Sequence, residues 1–145
     1  HAARVTGFPA LADDSGLEVD ALGGRPGVRS ARYAGGNATD DDNTARLLAE
    51  LADVPEPRTA RYRCVIAYVA TADDPNPVLA AGSWEGAIAR APRGNGGFGY
   101  DPVFLVGAGQ LTAAELPPDE KNRISHRAQA LRTLVTQLRD ARHGA

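Results

Sequence analysis

Residues 61–71 read RYRCVIAYVAT, the most strand-like run in the chain. Tyrosine and β-branched residues favour strands, and apolar side chains fall on both alternating faces, which is typical of a central strand in a sheet. A turn at residues 73–77, rich in aspartate and proline, leads to a second strand at 78–84. Residues 85–90 either extend that strand or pair with it.

Shorter strands and helices flank this pair. We predict a strand at Phe8–Ala12 that ends at Asp13–Gly16, a second one over residues 17–22, which alternate with strand period, and a short one at 103–106. Thr39 or Asp40 caps a helix that runs to about Ala52. The sequence therefore predicts one α/β or α+β domain over residues 1–145, with an elongated mixed central sheet flanked by helices.

The last helix begins after Ser125, a good N-terminal cap. Its predicted apolar stripe, at helical spacing, consists of Leu131, Leu134, Val135 and Leu138.

Composition excludes several classes of protein. A net charge of -2 with 43% hydrophobic residues excludes a nucleic-acid-binding tail and a disordered acidic chain. No apolar run approaches the ~18 residues of a transmembrane helix. The single cysteine, Cys64, lies inside the predicted central strand, so no disulfide forms within the chain and a structural thiol is favoured. We expect a cytoplasmic protein with no nucleic-acid or membrane partner.

Two features of the composition are unusual. The chain begins at His1 and contains no methionine, so we expect the first element to be cut into and the domain to be incomplete at its N-terminus. Of the 16 lysine and arginine residues only Lys121 is lysine. Codon bias explains the excess of arginine, and a functional need for an ammonium group is the alternative at Lys121.

The first candidate site is Asp13-Asp14-Ser15-Gly16. Adjacent side chains of an extended segment point in opposite directions, so only one aspartate need face a ligand. A carboxylate there can hold Mg²⁺ or accept a proton from an attacking water. The alternative is a turn in which aspartate and serine cap their own backbone.

The second candidate is the glycine-rich loop from Gly94 to Asp101. Its glycines let the backbone approach a ligand closely, Phe98 and Tyr100 can stack on a planar base, and Asp101 can accept hydrogen bonds from a base or a ribose. The alternative is a hairpin loop whose aromatic side chains cap the core.

The third candidate surrounds the start of the last helix and contains Lys121, His126 and Arg127. Cations at this end oppose the helix dipole, which favours an anionic or carbonyl-rich ligand as their partner. The alternative is a solvated basic turn paired with Asp119 and Glu120.

Three segments together resemble the inosine triphosphate pyrophosphatase family, which hydrolyses non-standard purine nucleoside triphosphates. They are ADDSGL at residues 12–17 with GGRPGVRSARY at 23–33, GGFGYDP at 96–102, and SHR at 125–127 followed by Ala130-Leu131. Their order and spacing also match, and the resemblance covers nearly the whole chain.

The resemblance implies a purine nucleoside triphosphate as substrate, Mg²⁺ as cofactor and a homodimer. Asp14 matches the family's metal-binding aspartate and proton acceptor, with the choice between Asp13 and Asp14 left open. The residues that match substrate contacts are Ser15, Phe98, Gly99, Tyr100, Asp101, Lys121, His126 and Arg127.

The reaction implied is the cleavage of ITP, dITP or XTP to the monophosphate and pyrophosphate. The family's N-terminal triphosphate-gripping motif and a metal-binding glutamate have no counterpart in this sequence. A catalytically silent nucleotide-binding or dimerisation module therefore stands as the alternative.

Overall fold

The structure is a computed structural model that describes residues 1–107 and 110–144. The predicted central strand is β3 (Thr59–Val69), which lies between β1 (Ala10–Val19) and β4 (Val78–Ile88). Residues 85–88 extend β4 rather than forming a separate strand. Three short strands complete a six-stranded sheet in the order β2-β1-β3-β4-β5-β6, namely β2 (Pro26–Gly27), β5 (Phe104–Val106) and β6 (Leu111–Thr112).

The prediction that a strand ends at Asp13–Gly16 is wrong. β1 runs without interruption from Ala10 to Val19 and pairs residue by residue with β3, from Ala10 opposite Val69 to Val19 opposite Ala60. The two aspartates thus lie in the middle of a strand. Long-range pairing overrides the local turn preference of an Asp-Ser-Gly sequence, because β3 pairs with the segment along its whole length.

The helices among the described residues are α1 (Ala2–Thr6), α2 (Asp40–Glu50), α3 (Pro118–Ile124) and α4 (His126–His143). The mixed α and β class is confirmed. Between the described strands every pairing is antiparallel, so over these residues the sheet is not mixed in strand direction. None of these helices is long and apolar enough to cross a membrane.

Both predicted helix caps are confirmed. The Thr39 hydroxyl accepts from the Asp42 amide while the Asp42 carboxylate accepts from the Thr39 amide, a reciprocal capping box at the start of α2. The Ser125 hydroxyl accepts from the Ala128 amide at the start of α4. The short α3, which the sequence analysis did not predict, ends at this cap.

The predicted apolar stripe of α4 is only partly buried. Leu134 is buried and Leu138 packs at the edge of the core, whereas Leu131 and Val135 are exposed. Helix α4 therefore contacts the sheet along a narrower line than the stripe suggests, and its N-terminal turn makes the closest approach.

One face of the sheet carries the core, and we call it the inner face. Tyr62, Trp84 and Phe104 lie there in one aromatic cluster, and Cys64 lies in a second cluster beneath α4. On the opposite, outer face Val65 is 46% exposed. β3 is thus central in the sheet as predicted, but among the described residues only its inner face is buried.

Candidate active site

A cavity of about 190 Å³ opens on the inner face of β1, between the glycine-rich loop and the N-terminus of α4. The structure brings together here all the substrate contacts predicted from the sequence. Its lining includes Ser15, Phe98, Gly99, Tyr100, Asp101, Lys121, His126 and Arg127. We call this space the inner pocket.

His126 forms one wall of the inner pocket. Its imidazole is buried and stacks on Tyr62, with ring centroids 4.8 Å apart and planes inclined by 13°. Burial, reinforced by the neighbouring Arg127 charge, lowers the pKa of His126 to about 4. The imidazole is therefore neutral at pH 7, and only one of its nitrogens carries a proton to donate.

Two buried side-chain atoms of this pocket have no hydrogen-bond partner among the described residues: Ser15 Oγ and His126 Nδ1. A buried polar atom without a partner costs about 1–3 kcal/mol, so proteins rarely keep one without a reason. Both atoms belong to residues that line the same cavity. A polar ligand bound in the inner pocket would supply the missing partners.

Asp101 contacts several polar groups beneath the glycine-rich loop. Its buried carboxylate accepts from the Tyr62 hydroxyl at 3.1 Å and from the Phe98 amide at 3.0 Å, and it pairs with the Lys121 ammonium. Lys121 and Arg127 thus pair with Asp101 and Asp13 rather than with Asp119 and Glu120, and the solvated basic turn is not formed. Both carboxylate oxygens of Asp101 already accept hydrogen bonds from protein groups. A direct contact of Asp101 with the base or the ribose stays a prediction.

The two loop aromatics have different environments. Tyr100 is buried, and its hydroxyl donates to the Ser30 carbonyl at 2.7 Å, so it packs into the core as the alternative interpretation expected. Phe98 is 58% exposed, and the Lys121 ammonium lies 4.6 Å from its ring centroid. Phe98 is the side chain that remains available to stack on a ligand.

Glycine is required at Gly97, where φ is 71° and an added Cβ would collide with the Asp101 carboxylate. This conformation lets the loop fold tightly over Asp101. The loop is further fixed by the Gly99 amide, which donates to the Asp40 carboxylate at 2.8 Å.

Asp13 and Asp14 lie on opposite faces of β1, as strand geometry predicts. Asp13 accepts from Arg127 Nε at 3.1 Å. Asp14 is exposed and lines a second cavity of about 230 Å³ together with Glu18 and Arg63 on the outer face. The predicted catalytic residue is therefore not part of the inner pocket but lies next to it across the strand.

The described residues contain no group of three or more histidine, cysteine, aspartate or glutamate side chains placed to hold a metal ion. Glu18, the other carboxylate of the outer cavity, lies four residues along the strand from Asp14, a span of about 13 Å. It pairs with Arg63 at 2.8 Å. Of the described carboxylates that line this cavity, Asp14 is thus the one without an ion-pair partner and could contact a metal.

Sequence reasoning missed several residues of the inner pocket, among them Tyr62, Asp40, Asn43 and Ser30. Tyr62 belongs to the predicted central strand, but no local pattern of the sequence indicates that its ring lines a ligand cavity. Asp40 and Asn43 looked like ordinary residues of a helix start. Only the packing of α2 against the glycine-rich loop places them at the pocket.

Comparisons with known proteins identify the family of this chain. Residues 1–137 match the model of the Ham1 family. A dITP/XTP pyrophosphatase from Methylococcus capsulatus is 62% identical over 140 residues, which cover 96% of this chain and 70% of that protein. A dITP/XTP pyrophosphatase from Escherichia coli K12 is 55% identical over 141 residues, which cover 97% of this chain and 72% of that protein.

Two solved structures share the fold. A HAM1 protein from Coxiella burnetii has a TM-score of 0.90 and 55% identity, and the match covers 97% of this chain and 72% of that one. The Ham1 protein of Staphylococcus aureus has a TM-score of 0.88 and 40% identity, with 97% and 71% covered. These matches confirm the resemblance seen in the three sequence segments, and the chain belongs to the Ham1 family.

Proposed function

We propose that this protein hydrolyses ITP, dITP and XTP to the nucleoside monophosphate and pyrophosphate. The observation that carries the proposal is the pair of unpartnered buried atoms, Ser15 Oγ and His126 Nδ1, in a pocket walled by aromatic rings and flanked by two cations. Such a pocket suits a planar, oxo-bearing base joined to phosphates. The names of the similar pyrophosphatases point to the same substrates.

Selection against adenine follows from the donors of the pocket. Hypoxanthine and xanthine carry a 6-oxo acceptor where adenine carries an amino donor. A neutral His126 with its proton on Nδ1 and the guanidinium of Arg127 both donate, so they satisfy the oxo group and leave an amino group facing donors. A site built around such hydrogen bonds can discriminate by a factor of about 10⁴.

The phosphates would extend from the inner pocket toward Asp14. Mg²⁺ fits this place, because it is usually held by one or two carboxylates, substrate phosphates and water, and Asp14 offers one exposed carboxylate. When bound, the ion neutralises charge on the phosphates. Asp14 accepts the proton of the attacking water, and Lys121 and Arg127 attract the anionic substrate.

We further propose that residues 1–145 belong to a single pyrophosphatase domain and that the protein is a homodimer, as the family resemblance implies. Light scattering on the full-length natural protein measures the oligomeric state. A monomeric mass would contradict the dimer.

The test of the proposed function is an assay of ITP, dITP, XTP, ATP and GTP with Mg²⁺, in which pyrophosphate and phosphate are measured separately on the full-length natural protein. We expect pyrophosphate release from the first three substrates. Asp14→Asn should lower kcat for ITP by a factor of about 10²–10⁴, because the proton acceptor is lost.

A matched control is Asp53→Asn, which changes another exposed aspartate and should leave kcat unaltered. Binding of ITP without pyrophosphate release would favour the silent nucleotide-binding module. Full activity of Asp14→Asn would show that another group accepts the proton.

A further inference from the structure

Arg127 is joined to β1 by one hydrogen-bonded ion pair. Its Nε donates to Asp13 Oδ2 at 3.1 Å, although the two residues are 114 positions apart in the chain. Arg127 is the second residue of α4, where a positive side chain opposes the positive end of the helix dipole. The Asp13 carboxylate compensates for that unfavourable placement.

This ion pair uses Nε of the guanidinium and leaves its two terminal nitrogens to a ligand. Only Nε is engaged, and within residues 1–107 and 110–144 the two terminal nitrogens of Arg127 donate to no protein acceptor. The guanidinium carbon also lies 5.2 Å from the centroid of the Phe98 ring. Asp13 on one side and Phe98 on the other fix the group while its terminal N–H bonds remain available to a ligand.

The fixed guanidinium belongs to the inner pocket. Arg127 lines this cavity next to His126, whose Nδ1 has no hydrogen-bond partner among the residues described. The two residues thus line the same pocket, and Asp13 holds the guanidinium of Arg127 in place. A flexible arginine would keep its charge at the pocket but lose the fixed direction of its donors.

We propose that Asp13 is a positioning residue for purine selection: it holds Arg127 so that the terminal N–H groups meet the 6-oxo group of the base. This inference rests on the proposed function. It also assigns different tasks to adjacent aspartates, because Asp13 serves base recognition on the inner face while Asp14 faces the phosphate side.

Equilibrium binding tests the proposal without any need for turnover. Calorimetry with IMP and AMP is applied to the full-length natural protein as wild type, Asp13→Ala, Asp13→Asn, Arg127→Ala and the double variant Asp13→Ala/Arg127→Ala. We expect Asp13→Ala to weaken IMP binding about threefold to fivefold, because an exposed ion pair supports the donor. Binding of AMP should change less, so the preference for IMP falls.

The double variant separates positioning from other effects. When Arg127 is already alanine, removal of Asp13 should change the Kd for IMP by less than about 1.5-fold. Asp13→Asn keeps an oxygen that can accept from Nε and should retain part of the affinity. Thermal unfolding of each variant checks that the fold is intact, and a purely structural role would lower Tm without changing the IMP to AMP ratio.

Three outcomes overturn the proposal. The first is an equal loss of IMP affinity from Asp13→Ala in the presence and in the absence of Arg127. The second is tighter IMP binding after Asp13→Ala, which would reveal simple charge repulsion. The third is the absence of IMP binding by the wild type. A wild type that binds IMP with the expected coupling but releases no pyrophosphate from ITP would contradict the proposed function and leave the role of Asp13 standing.

Discussion

The two faces of the central strands β1 and β3 differ in the partners that several of their polar groups find. On the outer face two arginines form ion pairs: Arg61 contacts Asp20 and Glu85, and Arg63 contacts Glu18. On the inner face, among aromatic rings, Ser15 Oγ and His126 Nδ1 are buried and have no hydrogen-bond partner in the part of the chain that the structure describes.

The difference separates stability from recognition. The outer ion pairs join strands that are distant in sequence and satisfy their own charges in contact with water. The inner pocket keeps unsatisfied donors and acceptors in a largely apolar space, where a hydrogen bond to a ligand is worth most. Substitutions of residues that line the inner pocket should therefore change ligand affinity, whereas substitutions within the outer ion pairs should change stability alone.

The largest effect is expected at Gly82, where α4 rests on the sheet. A Cβ at this position would collide with the His126 carbonyl oxygen and come within 2.7 Å of the Ala130 amide. Backbone atoms cannot yield as side chains do, so Gly82→Ala should lower the free energy of unfolding by about 3 kcal/mol and displace His126. Urea unfolding measures this loss.

Gly36→Ala is the matched control, because a Cβ there meets nothing within 4 Å. Equal stability of the two variants would mean that α4 is not seated on Gly82.

The next effect concerns the pH dependence set by His126. Its pKa is about 4 in the folded protein against an ordinary value of 6.5. Between these two pH values His126 is protonated in the unfolded chain but stays neutral in the folded protein. The free energy of unfolding therefore falls as the pH drops from 6.5 to 4. Above pH 6.5 the imidazole is neutral in both states and has no influence on stability. The full loss is about 3 kcal/mol.

His126→Gln removes the titrating group. The variant should lose less stability than the wild type over the same pH interval, as measured by urea unfolding at several pH values. Parallel profiles for the two proteins would contradict a buried, neutral His126.

Phe98 tests recognition at an exposed position of the pocket. A base–aromatic stack contributes about 1–3 kcal/mol to the free energy of binding, so Phe98→Ala should weaken IMP binding about tenfold to hundredfold. Since the ring is 58% exposed, Tm should change little.

Phe8→Ala, at a phenylalanine that is 72% exposed, is the control and should leave IMP affinity unchanged. A loss of Tm that accounts for the loss of binding would assign Phe98 to the core instead.

The smallest effect is expected on the outer face. Arg61→Ala should lower Tm by about 2–4 °C at low salt and by less at high salt, because ion pairs near the surface are weak and screened. The Kd for IMP should stay the same. A change of IMP affinity in this variant would show that the two faces are coupled.

The sequence predicted the features that depend on local pattern. The central strand was predicted from hydrophobic period, the caps of α2 and α4 from cap residues, and the meeting of the three motifs at one site from resemblance. Features that depend on long-range contacts were not predicted. Asp13–Gly16 looks like a turn until β3 is paired beside it, and His126 looks like a surface cation until Tyr62 covers it.

The roles of the adjacent aspartates show the same limit. Strand alternation predicts that Asp13 and Asp14 point in opposite directions. Which of them faces the pocket depends on the register of β1 against β3 and on the place where α4 docks, neither of which is written in the local sequence.

The most direct test compares Asp13→Asn with Asp14→Asn in the full-length natural protein. Two quantities are measured: kcat for ITP, and the ratio of kcat/KM for ITP to that for ATP. Asp14→Asn should lower kcat and keep the ratio, whereas Asp13→Asn should lower the ratio by a larger factor than kcat. The same change from both substitutions, or the reverse assignment, would contradict a division of labour between the two faces of the strand.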